Sequence, residues 1–197
     1  MKTTIVYNHP YEGSFNHVIL ERAVETAEKA GQEVQVIDLD KEKFNPVMSS
    51  QDLLGFVKHE QVDPQAKHYG ELLAQSQHLV LIFPIWWELM PAMMKGFIDK
   101  VVFPGSFYDY KPNGLQMQRK IEGLETITII TTMNTPKSLY RFLYGNAIQK
   151  ALVRGTFKKA GYKDVKWLSL NQVKQSSQEQ RAGMLYRVAN LLTKRFK

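Results

Sequence analysis

A chain of 197 residues, with 44% hydrophobic and 23% charged residues, has the composition of an ordinary soluble globular protein and is long enough to bury one large core. It contains no cysteine, which removes disulfides, thiolate metal sites, cysteine nucleophiles and iron–sulfur ligation and suits a reducing compartment, so redox chemistry would need a cofactor. The net charge of +7 favours anionic ligands, yet the Lys and Arg residues are scattered. The one dense group, Lys194-Arg195-Phe196-Lys197, reads as a solvated helix end and gives little support to nucleic-acid binding.

In chain order, Thr3–Asn8 is a short β-branched run followed by His9-Pro10-Tyr11-Glu12-Gly13-Ser14, a turn that ends in a good helix N-cap. Residues Phe15–Ala30 carry Val18, Ile19, Ala23, Val24 and Ala27 at helical spacing, with Gly31 as a C-cap. Glu33–Leu39 reads as a second strand, Ser50–Lys58 as a short helix within a loop, and Gln65–Gln77 as a longer helix. His78–Ile85 is a continuous apolar run of the kind found in a central parallel strand covered on both faces. Pro91 opens a helix over Ala92–Val102, Thr126–Thr132 is a fourth strand, and Ala147–Ala160 is helical up to Gly161. Asp164–Leu170 and Gln178–Phe196 supply a fifth strand and a last amphipathic helix.

This alternation predicts a single α/β domain over residues 1–197: a doubly wound five-stranded parallel sheet with helices on both faces. Such sheets bind ligands beyond the carboxyl ends of their strands, which directs attention to the loops His9–Asn16, Pro84–Pro91 and Thr131–Tyr144. The N-terminus lacks a secretory signal and no segment reaches membrane-spanning length, so the expected location is the cytoplasm, without membrane insertion.

Neither G-x-G-x-x-G nor G-x-x-x-x-G-K-[ST] is present, which excludes a Rossmann dinucleotide site and a P-loop. In the first loop, Ser14 either simply caps the helix or joins exposed N–H groups and the Asn16 amide in holding a phosphate. His9 is either a structural strand-end residue or a donor to that phosphate, and no histidine spacing predicts a metal site. Pro84-Ile85-Trp86-Trp87 sets two adjacent indoles at a strand end, where they cannot both enter one core face. They pack in a core or dimer surface, or wall a flat π-system such as a flavin ring. Thr131-Thr132-Met133-Asn134 offers hydroxyls and an amide to a ligand edge, and Tyr140 and Tyr144 follow on a helical turn.

Together these residues resemble the NAD(P)H:quinone oxidoreductase family, also called DT-diaphorase-like or flavodoxin-2-like, which includes bacterial quinone reductases and ancillary proteins of potassium efflux systems. The carriers are His9-Pro10 with Ser14-Phe15-Asn16, Asp38-Leu39, Phe44-Asn45-Pro46, Phe83-Pro84-Ile85-Trp86-Trp87, the run Pro91 to Val101, and Thr131-Thr132. The resemblance implies a flavodoxin-like fold and a homodimer, with flavin phosphate and ribityl near His9, Ser14, Phe15 and Asn16. It implies the ring against Pro84, Ile85, Trp86 and Trp87, and its edge at Thr131 and Thr132, with Met133 and Asn134 where many relatives have two glycines. Tyr140 matches a tyrosine that assists hydride transfer in relatives, while Tyr144 replaces its partner histidine. Phe44-Asn45-Pro46 recurs in the FAD-binding branch and tilts the expected cofactor from FMN toward FAD.

The function implied is two-electron transfer from NAD(P)H through bound flavin to a quinone or similar acceptor, the two substrates using one pocket in turn. Two rivals share the fold. A flavodoxin-type electron carrier would show an acidic surface and a Ser/Thr-rich phosphate loop, neither of which is present. A redox-sensing ancillary subunit of a transporter is the other.

Overall fold

A computed structural model describes residues 1–196. Five parallel strands form the main sheet: β1 (Lys2–Tyr7), β2 (Glu33–Asp38), β3 (His78–Pro84), β6 (Thr126–Met133) and β7 (Val165–Asn171), in the order β2-β1-β3-β6-β7. A small antiparallel hairpin, β4 (Tyr108–Tyr110) with β5 (Met117–Arg119), stands apart. Every residue of β3 is buried, as its unbroken apolar run requires of the middle strand.

On one face lie α1 (Phe15–Lys29) and α6 (Gln178–Arg195), packed around Ile5, Tyr7, Ile82, Ile130 and Leu192. The other face carries α3 (Pro64–Ala74), α4 (Ala92–Val101) and a π-helix (Ile148–Lys158) over a larger core that includes Phe44, Phe83, Phe97, Leu152 and Phe157. The doubly wound parallel sheet expected from the alternation is the one observed, with the flavodoxin-like strand order that the resemblance implies. The order reverses between β1 and β3, since the chain leaves β1 toward β2 and later returns to build the other half, and this opens a crevice at the strands' carboxyl ends.

Differences from the sequence reading have local causes. The helix over 65–77 begins one residue earlier and stops at Ala74, because Asp63 caps it by accepting from the amides of Gln65 and Ala66 and Pro64 fits its first position. The hairpin strands β4 and β5 have three residues each, too few for a period to register. Two further elements, α2 (Ser50–Lys58) and α5 (Lys137–Phe142), flank the sheet.

Within the Phe44-Asn45-Pro46 stretch, Phe44 is buried in the core, Asn45 is exposed and Pro46 packs against α4. Phe44 packs on Tyr69 and Phe97, with ring centroids 5.6 and 6.5 Å apart, and Pro46 lies directly on α4 at Gly96. A Cβ on Gly96 would sit 2.3 Å from Pro46 Cα and 2.4 Å from its carbonyl oxygen, backbone atoms that cannot yield. Gly96→Ala is therefore expected to cost about 2–3 kcal/mol by overpacking, read as a lower urea midpoint at unchanged slope.

Lys100, also on α4 and 3% exposed, ion-pairs with Asp63 and lies 3.7 Å from Asp52, while its Nζ donates to the Asn45 carbonyl at 3.2 Å. Burial is the largest single influence on Asp63 and pushes its pKa up. The Lys100 bond and charge and the amides of Ala66 and Gln65 together outweigh it, and the net value lies below the ordinary 3.8. With the folded pKa depressed, the stabilisation from Asp63 is complete above its unfolded pKa and is lost as pH falls through the folded one. The urea midpoint is expected to fall as the pH drops below about 4, and to fall less steeply in Asp63→Asn.

Candidate functional site

A cavity of about 300 Å³ opens at the carboxyl ends of β1, β3 and β6. Its walls bring together His9, Ser14, Phe15, Asn16, Pro84, Ile85, Trp86, Thr132, Met133 and Asn134, ten of the fourteen residues singled out in the sequence. Val173 and Lys174, which follow β7, complete it.

At the first loop, Ser14 caps α1 by accepting from the His17 amide at 3.2 Å, so its hydroxyl oxygen is already engaged. The amides of Phe15 and Asn16 at the helix start have no acceptor among the described residues, and no acidic residue occupies the first turn. His9 Nδ1 accepts from the Tyr11 amide at 3.1 Å. Burial, against smaller opposing influences of the Tyr11 backbone and of Asp40, holds its imidazole below the ordinary pKa. The neutral ring then carries its proton on Nε2, which makes His9 a donor. Uncapped amides, an imidazole N–H and the Lys174 ammonium form a donor set suited to an anion.

Asn16 is 4% exposed and donates through Nδ2 to Thr132 Oγ1 at 2.9 Å, fixing the helix start to the end of β6. Thr131 points to the opposite face, where its Oγ1 accepts from Trp167 Nε1 at 2.9 Å. Successive strand residues alternate sides, so only one threonine of the pair meets the cavity.

The Trp turn closes as a two-residue hairpin. Trp86 and Leu89 exchange backbone hydrogen bonds of 2.9 and 3.1 Å, and Trp87 and Glu88 take the left-handed conformation at φ 49° and 63°. Two non-glycine residues there are strained, and such strain concentrates at functional sites. The Ile85 amide is spent on the Thr132 carbonyl and that of Trp86 on Leu89, so the turn offers a ligand only the amides of Trp87 and Glu88. Trp86 lines the cavity, edge-on to His9 with centroids 6.2 Å apart. Trp87 is 97% exposed and does not line it.

Tyr140 and Tyr144 lie outside the cavity wall. Tyr140 is 2% exposed, its hydroxyl donating to the Glu88 carbonyl and accepting from the Ile148 amide, each at 3.0 Å. Burial raises its pKa. It is a positioning residue that anchors the Trp turn to α5 and the π-helix, a role reinforced by Thr135 Oγ1 donating to Glu88 Oε1 at 2.6 Å. Tyr144 is half exposed on the surface beyond α5. Lys174 escaped the sequence reading because only three strand ends were weighed; the same carboxyl-end rule applied to β7 points to it.

A fold of this kind, with its cavity at the strand-order reversal, defines a flavodoxin-like protein. The family model Flavodoxin_2, described as flavodoxin-like fold, matches residues 1–192, and the chain belongs to that family. It is 32% identical to Smu.1420 from Streptococcus mutans UA159, whose crystal structure aligns over 98% of this chain and 100% of that one at a TM-score of 0.83. An uncharacterized NAD(P)H oxidoreductase of Haemophilus influenzae is 25% identical over 85% of this chain and 82% of its own length. The ribosyldihydronicotinamide dehydrogenase-like protein traD of Penicillium crustosum is 33% identical over 51% of this chain. That match spans 43% of the relative, so the chain accounts for less than half of it. No helix among the described residues is long and apolar enough to cross a membrane.

Proposed function

We propose that this protein is a flavin-dependent NAD(P)H oxidoreductase that delivers two electrons to a quinone or similar small acceptor. The observation carrying this reading is the convergence of three strand-end loops on one cavity that combines anion donors with an aromatic wall. The oxidoreductase names of its relatives support it.

In this reading His9 Nε2 and the amides of Phe15 and Asn16 hold the flavin phosphate, with Lys174 supplying charge. Pro84, Ile85 and Trp86 wall the ring, and Thr132, Met133 and Asn134 border its edge. A bound flavin supplies the hydride chemistry that no side chain here provides. The protein's part is to bind, orient and keep water from the reacting face, while donor and acceptor take the same open side in turn. Phe44 is spent on the core and Pro46 on α4, and none of Phe44, Asn45 and Pro46 lines the cavity, so the stretch gives no reason to favour FAD; the cavity would hold the mononucleotide half common to FMN and FAD.

A homodimer belongs to the same proposal. Trp87, Leu89, Phe142, Leu143 and Tyr144 expose large apolar surface on the two segments beside the cavity that Tyr140 and Thr135 tie together. Covering that surface with a second copy would bring the cavity mouth to the interface.

The test is to purify the protein, record its visible spectrum, extract and identify the flavin, and follow NADH and NADPH oxidation with menadione. Yellow protein and turnover are expected. A colourless protein that neither flavin reconstitutes would overturn the reading, and bound flavin without turnover by either nucleotide would overturn its enzymatic half.

A further inference from the structure

A strong charge imbalance lies beside the flavin cavity. From Thr126 to Lys163 the chain has seven Lys and Arg residues and no Asp or Glu, a segment charge equal to the net +7 of the whole protein. A second cavity, of about 410 Å³, opens against this segment between α5, the π-helix, β7 and α6. Lys137, Arg141, Arg154 and Arg187 line it, and no carboxylate does. None of the four forms an ion pair or donates a side-chain hydrogen bond among the described residues; Arg141 only overlies the Phe142 ring, 5.4 Å from its centroid.

Four free cations around one concavity repel one another, and an anion held among them relieves that repulsion. Arginine forks match phosphate oxygens in paired hydrogen bonds. The wall is more than charge: Trp167 is partly buried, its indole held by the bond to Thr131 and by Tyr140 edge-on at 5.8 Å, which gives a fixed aromatic surface. An aromatic surface within a ring of arginines suits a nucleotide phosphate better than a bare inorganic ion.

The two cavities are neighbours along the chain. Asn134 borders the first and Lys137 the second, so at most about 11 Å of chain separates them. Asn171, which lines the second, ties β7 to the connecting segment by donating through Nδ2 to the Thr135 carbonyl at 2.8 Å.

We propose that the second cavity receives the phosphorylated adenosine end of the nicotinamide donor, and that its arginines select NADPH over NADH through the 2′-phosphate. The inference rests on the oxidoreductase reading, but its first test does not require flavin. Binding of 2′,5′-ADP, 5′-AMP and inorganic phosphate is measured by calorimetry on the purified protein and on the Arg141→Gln/Arg154→Gln double variant. 2′,5′-ADP is expected to bind at least tenfold more tightly than 5′-AMP or phosphate, and the double variant to lose that advantage without a change in Tm. In the flavin-loaded enzyme, kcat/KM for NADPH should drop at least tenfold in the variant, that for NADH less than threefold, with little change in kcat. Equal binding of 2′,5′-ADP and 5′-AMP, equal binding of inorganic phosphate, or no effect of the double variant would overturn the assignment. Turnover with an unaltered NADPH to NADH ratio would overturn it while leaving the oxidoreductase reading intact.

Discussion

Replacing Trp86 by alanine is expected to weaken flavin binding by about 10- to 100-fold, whereas Trp87→Ala should change it by less than about twofold. Trp86 borders the cavity and is half exposed without a ligand, so a ring laid against it removes much of the remaining indole face from water. Burying an aromatic face of this size stabilises by about 1.5–3 kcal/mol, which is the source of the range. Trp87 sits at the tip of the hairpin, almost wholly exposed and outside the cavity wall. Quenching of flavin fluorescence on titration reads both constants. Equal losses in the two variants, or none in either, would show the ring to lie elsewhere. The same pair separates binding from assembly, because Trp87→Ala should instead weaken a homodimer, measured by sedimentation at several concentrations.

The contrast between these two residues shows where sequence reasoning ends. Strand runs such as Thr126–Thr132 are legible because β-branched residues suit a pleated, half-buried surface, and the carboxyl-end rule then locates the crevice. The alternation of a strand was equally available and predicts that Thr131 and Thr132 part company, one to Trp167 and one to Asn16. The hairpin tip was not available. Positions at positive φ ordinarily hold Gly, Asn or Asp, and Trp87-Glu88 carries no such mark, so nothing local says that one indole turns in and the next turns out. Tyr140 is a different case: a tyrosine near a strand end serves a ligand or the scaffold according to what its hydroxyl meets. Here it meets the Glu88 carbonyl and the Ile148 amide, from segments 52 and 8 residues away.

Lys100→Met is expected to cost about 3–5 kcal/mol, the largest stability loss of any single change considered, and to lower Tm by roughly 10 °C. The ammonium is 3% exposed between Asp63, Asp52 and the Asn45 carbonyl, with the Phe44 ring 5.6 Å from Nζ. Methionine fills the volume but leaves two carboxylates facing each other at low exposure with no cation. The penalty comes from that stranded charge rather than from the net worth of the ion pair, since a buried pair gains little over an apolar replacement of both partners. Adding Asp63→Asn to Lys100→Met should therefore recover part of the loss, because asparagine still caps α3 while removing one charge. Calorimetric or circular-dichroism melts of the single and double variants test this, and a double variant less stable than Lys100→Met would refute it. Lys100 joins α4 to the segments carrying Asp52 and Asp63, and α4 begins directly after the Trp turn, yet it contributes no atom to the cavity. Flavin affinity measured well below the lowered Tm should accordingly match that of the parent protein, which distinguishes a residue that holds the scaffold from one that holds the ligand.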